Sequence, residues 1–200
     1  MCGRVFFCAK IYFPLFRRLK KMTFKSTLLD EAAVGRALRR ISYEICEKNH
    51  GTENLCIVGI KRRGVCVAKA IQHNIQKNEG VEVPVGVLDI TFYRDDLSEQ
   101  SGFPTVNDTV VPFDITDKTV ILADDVIFTG RTVRAAIDAL FALGRPKKIQ
   151  FAALIDRGHR ELPIKADYVG KNVPTSLSEI IKVTFPEYDN CDIAVSLYSK

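Results

Sequence analysis

Two adjacent acids, Asp124 and Asp125, close an apolar run and are followed by Thr129-Gly130-Arg131-Thr132. The run Val120-Ile121-Leu122-Ala123 suits a buried strand, and open parallel sheets bind ligands beyond the carboxyl ends of their strands. A Thr-Gly-Arg-Thr turn entering a helix presents backbone N–H groups and the hydroxyls of Thr129 and Thr132 where the helix dipole favours a phosphate. Gly130 lets the chain approach such an anion closely. Two carboxylates beside an anion site repel the anion unless they serve another group, such as the vicinal hydroxyls of a ribose or a magnesium ion. A ribose phosphate satisfies both halves of the string.

These residues need a sheet to hold them. Val34, Ala37, Leu38, Ile41 and Ile45 recur at helical intervals, so the spacing predicts a helix from about Leu29, with Asp30 and Glu31 at its start and Lys48 and Gly51 at its end. Leu55–Ile60 reads as a strand buried on both faces, followed by the loop Lys61-Arg62-Arg63-Gly64 and a helix through about Gln76. Val83–Ile90 is a further strand, and the polar stretch from Thr91 to Thr116 is long enough to be a functional loop. Then come a strand over Lys118–Ala123, a turn over Asp124–Arg131, a helix over Thr132–Leu143 closed by Gly144, and a strand over Ile149–Ile155. Beyond it Tyr168–Gly170, Ile180–Thr184 and Ile193–Leu197, separated by prolines, predict a small terminal subdomain. The alternation implies an α/β fold with a mainly parallel, doubly wound central sheet.

The formal net charge of +5 is unevenly distributed. Residues 1–21 hold six cations and no acid; without them 23 of the 29 cations face 24 acids, so any nucleic-acid contact must come from a local patch. That segment lacks an apolar core followed by a small-residue cleavage site, and Pro14 interrupts any helix. It is read as a disordered or artefactual extension ahead of one domain spanning 22–200. No apolar stretch is long enough to span a bilayer. Cys2, Cys8, Cys46, Cys56, Cys66 and Cys191 form no CxxC pair and are read as buried free thiols of a reducing, cytoplasmic compartment.

The string Val120–Thr132 resembles the motif that binds phosphoribosyl pyrophosphate (PRPP) in type I phosphoribosyltransferases. From about Thr27 to the carboxyl terminus the chain resembles the PyrR family of that superfamily, pyrimidine operon attenuation proteins that are also uracil phosphoribosyltransferases. Supporting strings are Val58-Gly-Ile-Lys-Arg-Arg-Gly64, Asp89-Ile-Thr-Phe-Tyr-Arg-Asp-Asp-Leu-Ser98, Val111-Pro-Phe-Asp-Ile-Thr116, Asp156-Arg-Gly-His-Arg-Glu-Leu-Pro163 and Ala166-Asp-Tyr-Val-Gly-Lys-Asn-Val-Pro-Thr175. The resemblance implies a type I phosphoribosyltransferase fold with a small hood. It assigns Asp124 and Asp125 to the ribose hydroxyls, the stretch Val126, Ile127, Phe128, Thr129, Gly130, Arg131 and Thr132 to the nucleotide, with Thr129–Thr132 on the 5′-phosphate, and Arg62, Arg63, Gly64 and Arg94 to the pyrophosphate. Arg62 stands where the family more often has Thr, which leaves its individual role open. Asp124, Asp125 and Arg63 are the residues expected to carry catalysis. Mg2+ is expected to bind mainly through PRPP, without direct protein ligation.

Purine enzymes of the superfamily usually carry an acid where Phe128 stands, which points to a pyrimidine base, and the other major uracil enzyme class lacks the paired acids. The base is assigned to Arg157 and to backbone near Val169, Gly170 and Ile181. The resemblance also implies leader-RNA binding through Arg36, Arg39, Arg40, Lys48, His159, Arg160, Lys165 and Lys171, promoted by UMP or UTP, in a homo-oligomer with no membrane contact. A regulator with vestigial activity, or a salvage enzyme without an RNA role, remains open at this point.

Overall fold

The structure, a computed structural model, describes residues 22–93 and 108–200. Its main sheet is five-stranded and parallel throughout, and is built from β2 (Leu55–Ile60), β3 (Val85–Leu88), β4 (Thr119–Ile127), β5 (Lys148–Asp156) and β6 (Tyr168–Asn172). The spatial order is β3-β2-β4-β5-β6. Helices α1 (Glu31–Lys48) and α2 (Arg63–Glu79) cover one face, and α3 (Arg131–Leu143) covers the other. Successive strand residues point to opposite faces. Leu55, Ile57, Ile121, Ala123, Ala152 and Leu154 accordingly join the core beneath α1 and α2. Cys56, Val58, Ile60, Val120, Leu122 and Phe151 join the core beneath α3. This is the doubly wound sheet read from the sequence. From β2 the chain passes through α2 to β3 on one side, then crosses back to β4 on the other. The crevice at the carboxyl ends of β2 and β4 is therefore the switch point where such sheets take ligands.

Helix α1 begins where the sequence places it: the Asp30 carboxylate accepts the Ala33 N–H at 2.7 Å as its cap. Four expectations about the strands need correction. The strand expected over Lys118–Ala123 continues to Ile127, so Asp124 and Asp125 sit within β4 and not in the turn after it. Their neighbours across the sheet carry the ladder that far, Asp124 pairing with Ala153 and Ile127 with Asp156. The Val83–Ile90 strand contracts to Val85–Leu88, with the Pro84 carbonyl accepting from Ile57 at its entry. Tyr168–Gly170, assigned to a terminal subdomain, is instead part of β6 in the main sheet, because Gly170 nests against Leu154 so closely that a Cβ there would lie 2.4 Å from the Leu154 carbonyl oxygen.

The fourth correction concerns the hood, which is a three-stranded antiparallel sheet ordered β1-β8-β7. Its strands are β1 (Thr23–Leu29), β7 (Glu179–Thr184) and β8 (Ala194–Ser199), with the short helix α4 (Pro186–Asp189) between the last two. The amino-terminal strand was not foreseen. Thr23, Lys25, Ser26 and Thr27 are polar and, like Phe24, exposed; the partner strand lies at the far end of the domain, Thr23 facing Ser199.

Cys46, Cys56 and Cys66 are buried free thiols, whereas Cys191 is exposed, contrary to the reading of all six as buried; Cys2 and Cys8 lie outside the described residues. Burial pushes the Cys56 and Cys66 thiols up to about 11, Glu187 adding to the effect on Cys66. Alkylation of the native protein is expected to modify Cys191 while sparing Cys46, Cys56 and Cys66, as peptide mass mapping would show. Unfolded thiols ionise at about pH 8.5, so the unfolded state binds fewer protons than the folded one above that pH. Stability is therefore expected to fall as pH rises from there toward 11.

Candidate active site

The loop leaving β2 and the acids near the carboxyl end of β4 meet in the crevice between those strands. A Cβ on Gly64 would lie 2.6 Å from the Ala123 carbonyl oxygen and 3.1 Å from Asp124 Oδ1, so only glycine lets the loop rest against the acid pair. The Lys61–Arg62 peptide bond in this loop is cis. Asp124 is buried and Asp125 half-buried. Each carboxylate accepts the N–H of the following residue at 2.9 Å, which fixes both side chains. Burial pushes the Asp125 carboxyl above the usual carboxylate range, against contrary influences from the Asp124 side chain, the Val126 N–H and the Arg63 guanidinium.

Beyond Ile127 the turn Phe128–Gly130 leads into α3, with Gly130 in the left-handed region at φ 93°. Residues Val126 to Val133 line a cavity of about 250 Å3 at the amino end of that helix. Here the backbone N–H groups of the first helical turn and the helix dipole favour an anion. The Arg131 N–H points to Thr129 Oγ1 at 3.3 Å. The turn is braced from the segment after β5: the Thr129 carbonyl accepts from Glu161 and Leu162, and Arg131 Nε bonds Glu161 at 2.7 Å.

Arg160 was expected at an RNA surface. The structure commits its guanidinium to the Phe128 carbonyl at 2.7 Å, the Ile164 carbonyl at 2.9 Å and Asp156. It is half-buried and holds the turn Phe128–Gly130 in shape, a role its basic character alone did not reveal. Arg157, assigned to the base, is buried with its guanidinium 4.0 Å from the Phe128 ring centroid. It donates to Thr175 Oγ1 at 3.1 Å and to the carbonyls of Ser176 and Glu179 at 3.3 and 2.8 Å. Phe128 thus packs against the Arg157 guanidinium and makes an edge-to-face contact with the His159 ring. Val169 and Gly170 do not join it through their carbonyls, which accept from Arg40 of α1 at 2.9 and 2.7 Å. Ile181 is buried in β7.

Arg63 forks onto Asp189 of the hood, a residue that sequence reasoning missed; the only signal was an acid in the Pro186–Asp189 turn. Lys61 pairs with Asp89 at 3.4 Å and with Asp108, tying the loop after β2 to the end of β3. Arg62 serves as the N-cap position of α2 without a side-chain bond to the helix. Arg94 lies outside the described residues.

The remaining basic residues lie on α1, on β6 and on the segment between β5 and β6. Arg36 and Arg39 are exposed; Lys48 bonds Asp167 at 2.8 Å, and Lys171 reaches the Leu28 carbonyl at 3.2 Å. Lys165 and His159 are exposed on the segment after β5. Among the described residues no group of three or more His, Cys, Asp or Glu could hold a metal ion. Nor is any helix among them long and apolar enough to cross a membrane.

A switch-point crevice with paired acids on one strand, a cationic loop on the next and an anion cradle at a helix start defines a phosphoribosyltransferase. The sequence matches the phosphoribosyl transferase domain family over residues 25–189. Solved structures share the fold: a hypoxanthine-guanine phosphoribosyltransferase of Bacillus anthracis has a TM-score of 0.66 at 21% identity, covering 86% of this chain and 97% of that one. The hypoxanthine phosphoribosyltransferase of Trypanosoma cruzi has a TM-score of 0.67 at 14% identity, covering 88% and 97%. Curated relatives are far nearer in sequence. The "Bifunctional protein PyrR" of Caldicellulosiruptor saccharolyticus is 67% identical over 163 residues, 82% of this chain and 90% of the relative. That of Deinococcus radiodurans is 57% identical over 169 residues, 84% and 92%. The chain belongs to the PyrR family of phosphoribosyltransferases.

Proposed function

We propose that the chain transfers the phosphoribosyl group of PRPP to uracil, yielding UMP and pyrophosphate, and that it also binds leader RNA of pyrimidine genes in response to uridine nucleotides. The observation that supports the first activity is the seating of Gly64 against Asp124, which brings the loop of residues 61–64 directly beside the acid pair. The bond from C1 of the ribose to the pyrophosphate oxygen breaks, uracil N1 bonds to C1, and the N1 proton is lost. The bonding pair leaves with pyrophosphate. Positive charge grows on the sugar and negative charge on the leaving group, so fixed charges at each end stabilise what develops.

In this reading Asp124 and Asp125 accept hydrogen bonds from the ribose hydroxyls, the turn from Phe128 to Thr132 donates to the 5′-phosphate, and Arg62, Arg63 and the Gly64 N–H meet the pyrophosphate. Mg2+ carried by PRPP would supply positive charge at the leaving group, and the hard carboxylate oxygens of Asp124 and Asp125 would suit a cation beside them. Phe128 sits under a guanidinium and offers no proton, which disfavours a purine ring needing an acid at that position. The relatives' description as bifunctional supports a second activity. The exposed Arg36, Arg39, Lys165 and Lys171 are the phosphate contacts assigned to it.

The full chain is expected to form UMP from labelled uracil, PRPP and magnesium, undiminished by equimolar hypoxanthine or orotate. Conversion of either competitor, with none of uracil, rejects the base assignment. In a gel shift with a transcript of a pyrimidine-gene leader, UMP is expected to tighten binding; unchanged affinity rejects the regulatory half.

A further inference from the structure

We infer that Asp189 is a positioning residue that holds the Arg63 guanidinium toward the pyrophosphate and away from the ribose acids. This rests on the proposed placement of Arg63 at the leaving group. Arg63 is the first residue of α2, and Asp189 is the last of α4 in the hood. Arg63 Nε lies 3.1 Å from Asp189 Oδ2, and Nη2 lies 2.7 Å from Oδ1. The two-point fork fixes the plane and the direction of the guanidinium, because neither group can rotate without breaking a bond. A guanidinium has five N–H donors, so the fork leaves the Nη1 edge for a second anion. Asp189 is itself pinned: its side chain is 9% exposed, Oδ2 accepts the Phe185 N–H at 3.1 Å, and Lys182 stands 4.0 Å away.

Arg63 has an alternative partner. It also feels the charge of Asp125, whose half-buried carboxylate gains from any cation brought against it. Without Asp189 the guanidinium is drawn toward the acid pair, where it occupies a ribose acceptor and leaves the pyrophosphate side. One substitution in the hood then weakens both halves of PRPP recognition. The hood thereby contributes to the leaving-group end of the substrate as well as to the base end, through a residue that need not touch substrate.

The test compares wild type, Asp189→Asn, Arg63→Ala and the double variant for steady-state UMP formation, for PRPP binding by calorimetry with magnesium, and for thermal midpoint. Asp189→Asn is expected to raise KM for PRPP on the order of tenfold, the worth of one charge-assisted contact, while KM for uracil changes by less than about twofold. In the Arg63→Ala background the same change is expected to have almost no further effect. An unchanged PRPP KM overturns the inference, and so does an additive double variant, since a merely structural loss adds to the loss of Arg63. If wild type binds PRPP without forming UMP, the uracil reading fails, and the same four proteins decide the Asp189 inference on their PRPP dissociation constants. No PRPP binding by wild type overturns both.

Discussion

Asp124→Asn/Asp125→Asn is expected to lower kcat/KM for UMP formation by on the order of 10²–10⁴ while raising the thermal midpoint at neutral pH. Each acid is read as accepting a ribose hydroxyl, and a hydrogen bond to a charged group contributes about 1.5–3 kcal/mol, roughly 10- to 150-fold each. The opposite sign for stability follows from burial. Asp124 is 7% exposed, and burial lifts the Asp125 carboxyl above its ordinary value, so its ionised form is disfavoured in the folded chain. Asparagine keeps the shape and the acceptor oxygen for the Val126 N–H without the charge. A group whose folded pKa is raised contributes stability at low pH that is lost as pH rises through its folded value. The gain from the double substitution is therefore expected to shrink as pH is lowered. Turnover that survives the substitutions would remove both acids from the proposed mechanism.

Gly64→Ala is expected to damage the site from its other side. The new methyl would meet the Ala123 carbonyl oxygen at 2.6 Å, and both contacts beyond it belong to Asp124. A backbone oxygen in the middle of a parallel ladder cannot withdraw, so the loop must move instead. Forced overpacking costs about 1–3 kcal/mol, and a displacement of about 1 Å in a positioning element can cost on the order of 10²-fold in rate. The measurements are thermal unfolding and kcat/KM, with Gly35→Ala as the control, because that position on α1 has open space around it. Equal behaviour of the two variants would mean that the contact between loop and acids does not matter to turnover.

What could be read beforehand follows from what a linear pattern encodes. The six buried residues of β2 form a run that only a strand covered on both faces explains, and the acids with the Thr-Gly-Arg-Thr turn announce their own chemistry. The α1 stripe and the acids at its start were equally plain, whereas the capping bond from Asp30 is seen only in the fold. Less legible were contacts between residues far apart in the chain. Nothing in the spacing says that Arg40 reaches the Val169 and Gly170 carbonyls, that Arg160 is spent on the Phe128 carbonyl, or that Arg63 finds Asp189. An arginine looks the same in a sequence whether it faces a phosphate, a carbonyl or solvent. Strand β1 escaped for a related reason: its exposed, mostly polar residues lack a buried face of their own, and pairing with β8 alone makes them a strand.

That pairing has a consequence for biosynthesis. The hood joins Thr23 to Ser199 and Leu29 to Val195, so its first strand waits for residues made after the whole parallel sheet. That sheet can assemble while translation proceeds, since β2 to β6 follow one another in the chain. The antiparallel cap closes only once β8 has emerged, and closing so large a loop is slow relative to local structure formation. A nascent chain therefore carries the turn after β4 before it carries Asp189, and a transcript cut short ahead of β7 yields a chain that lacks both that residue and the Ile181, Val183 and Val195 side chains that complete the core beneath α1 and α2.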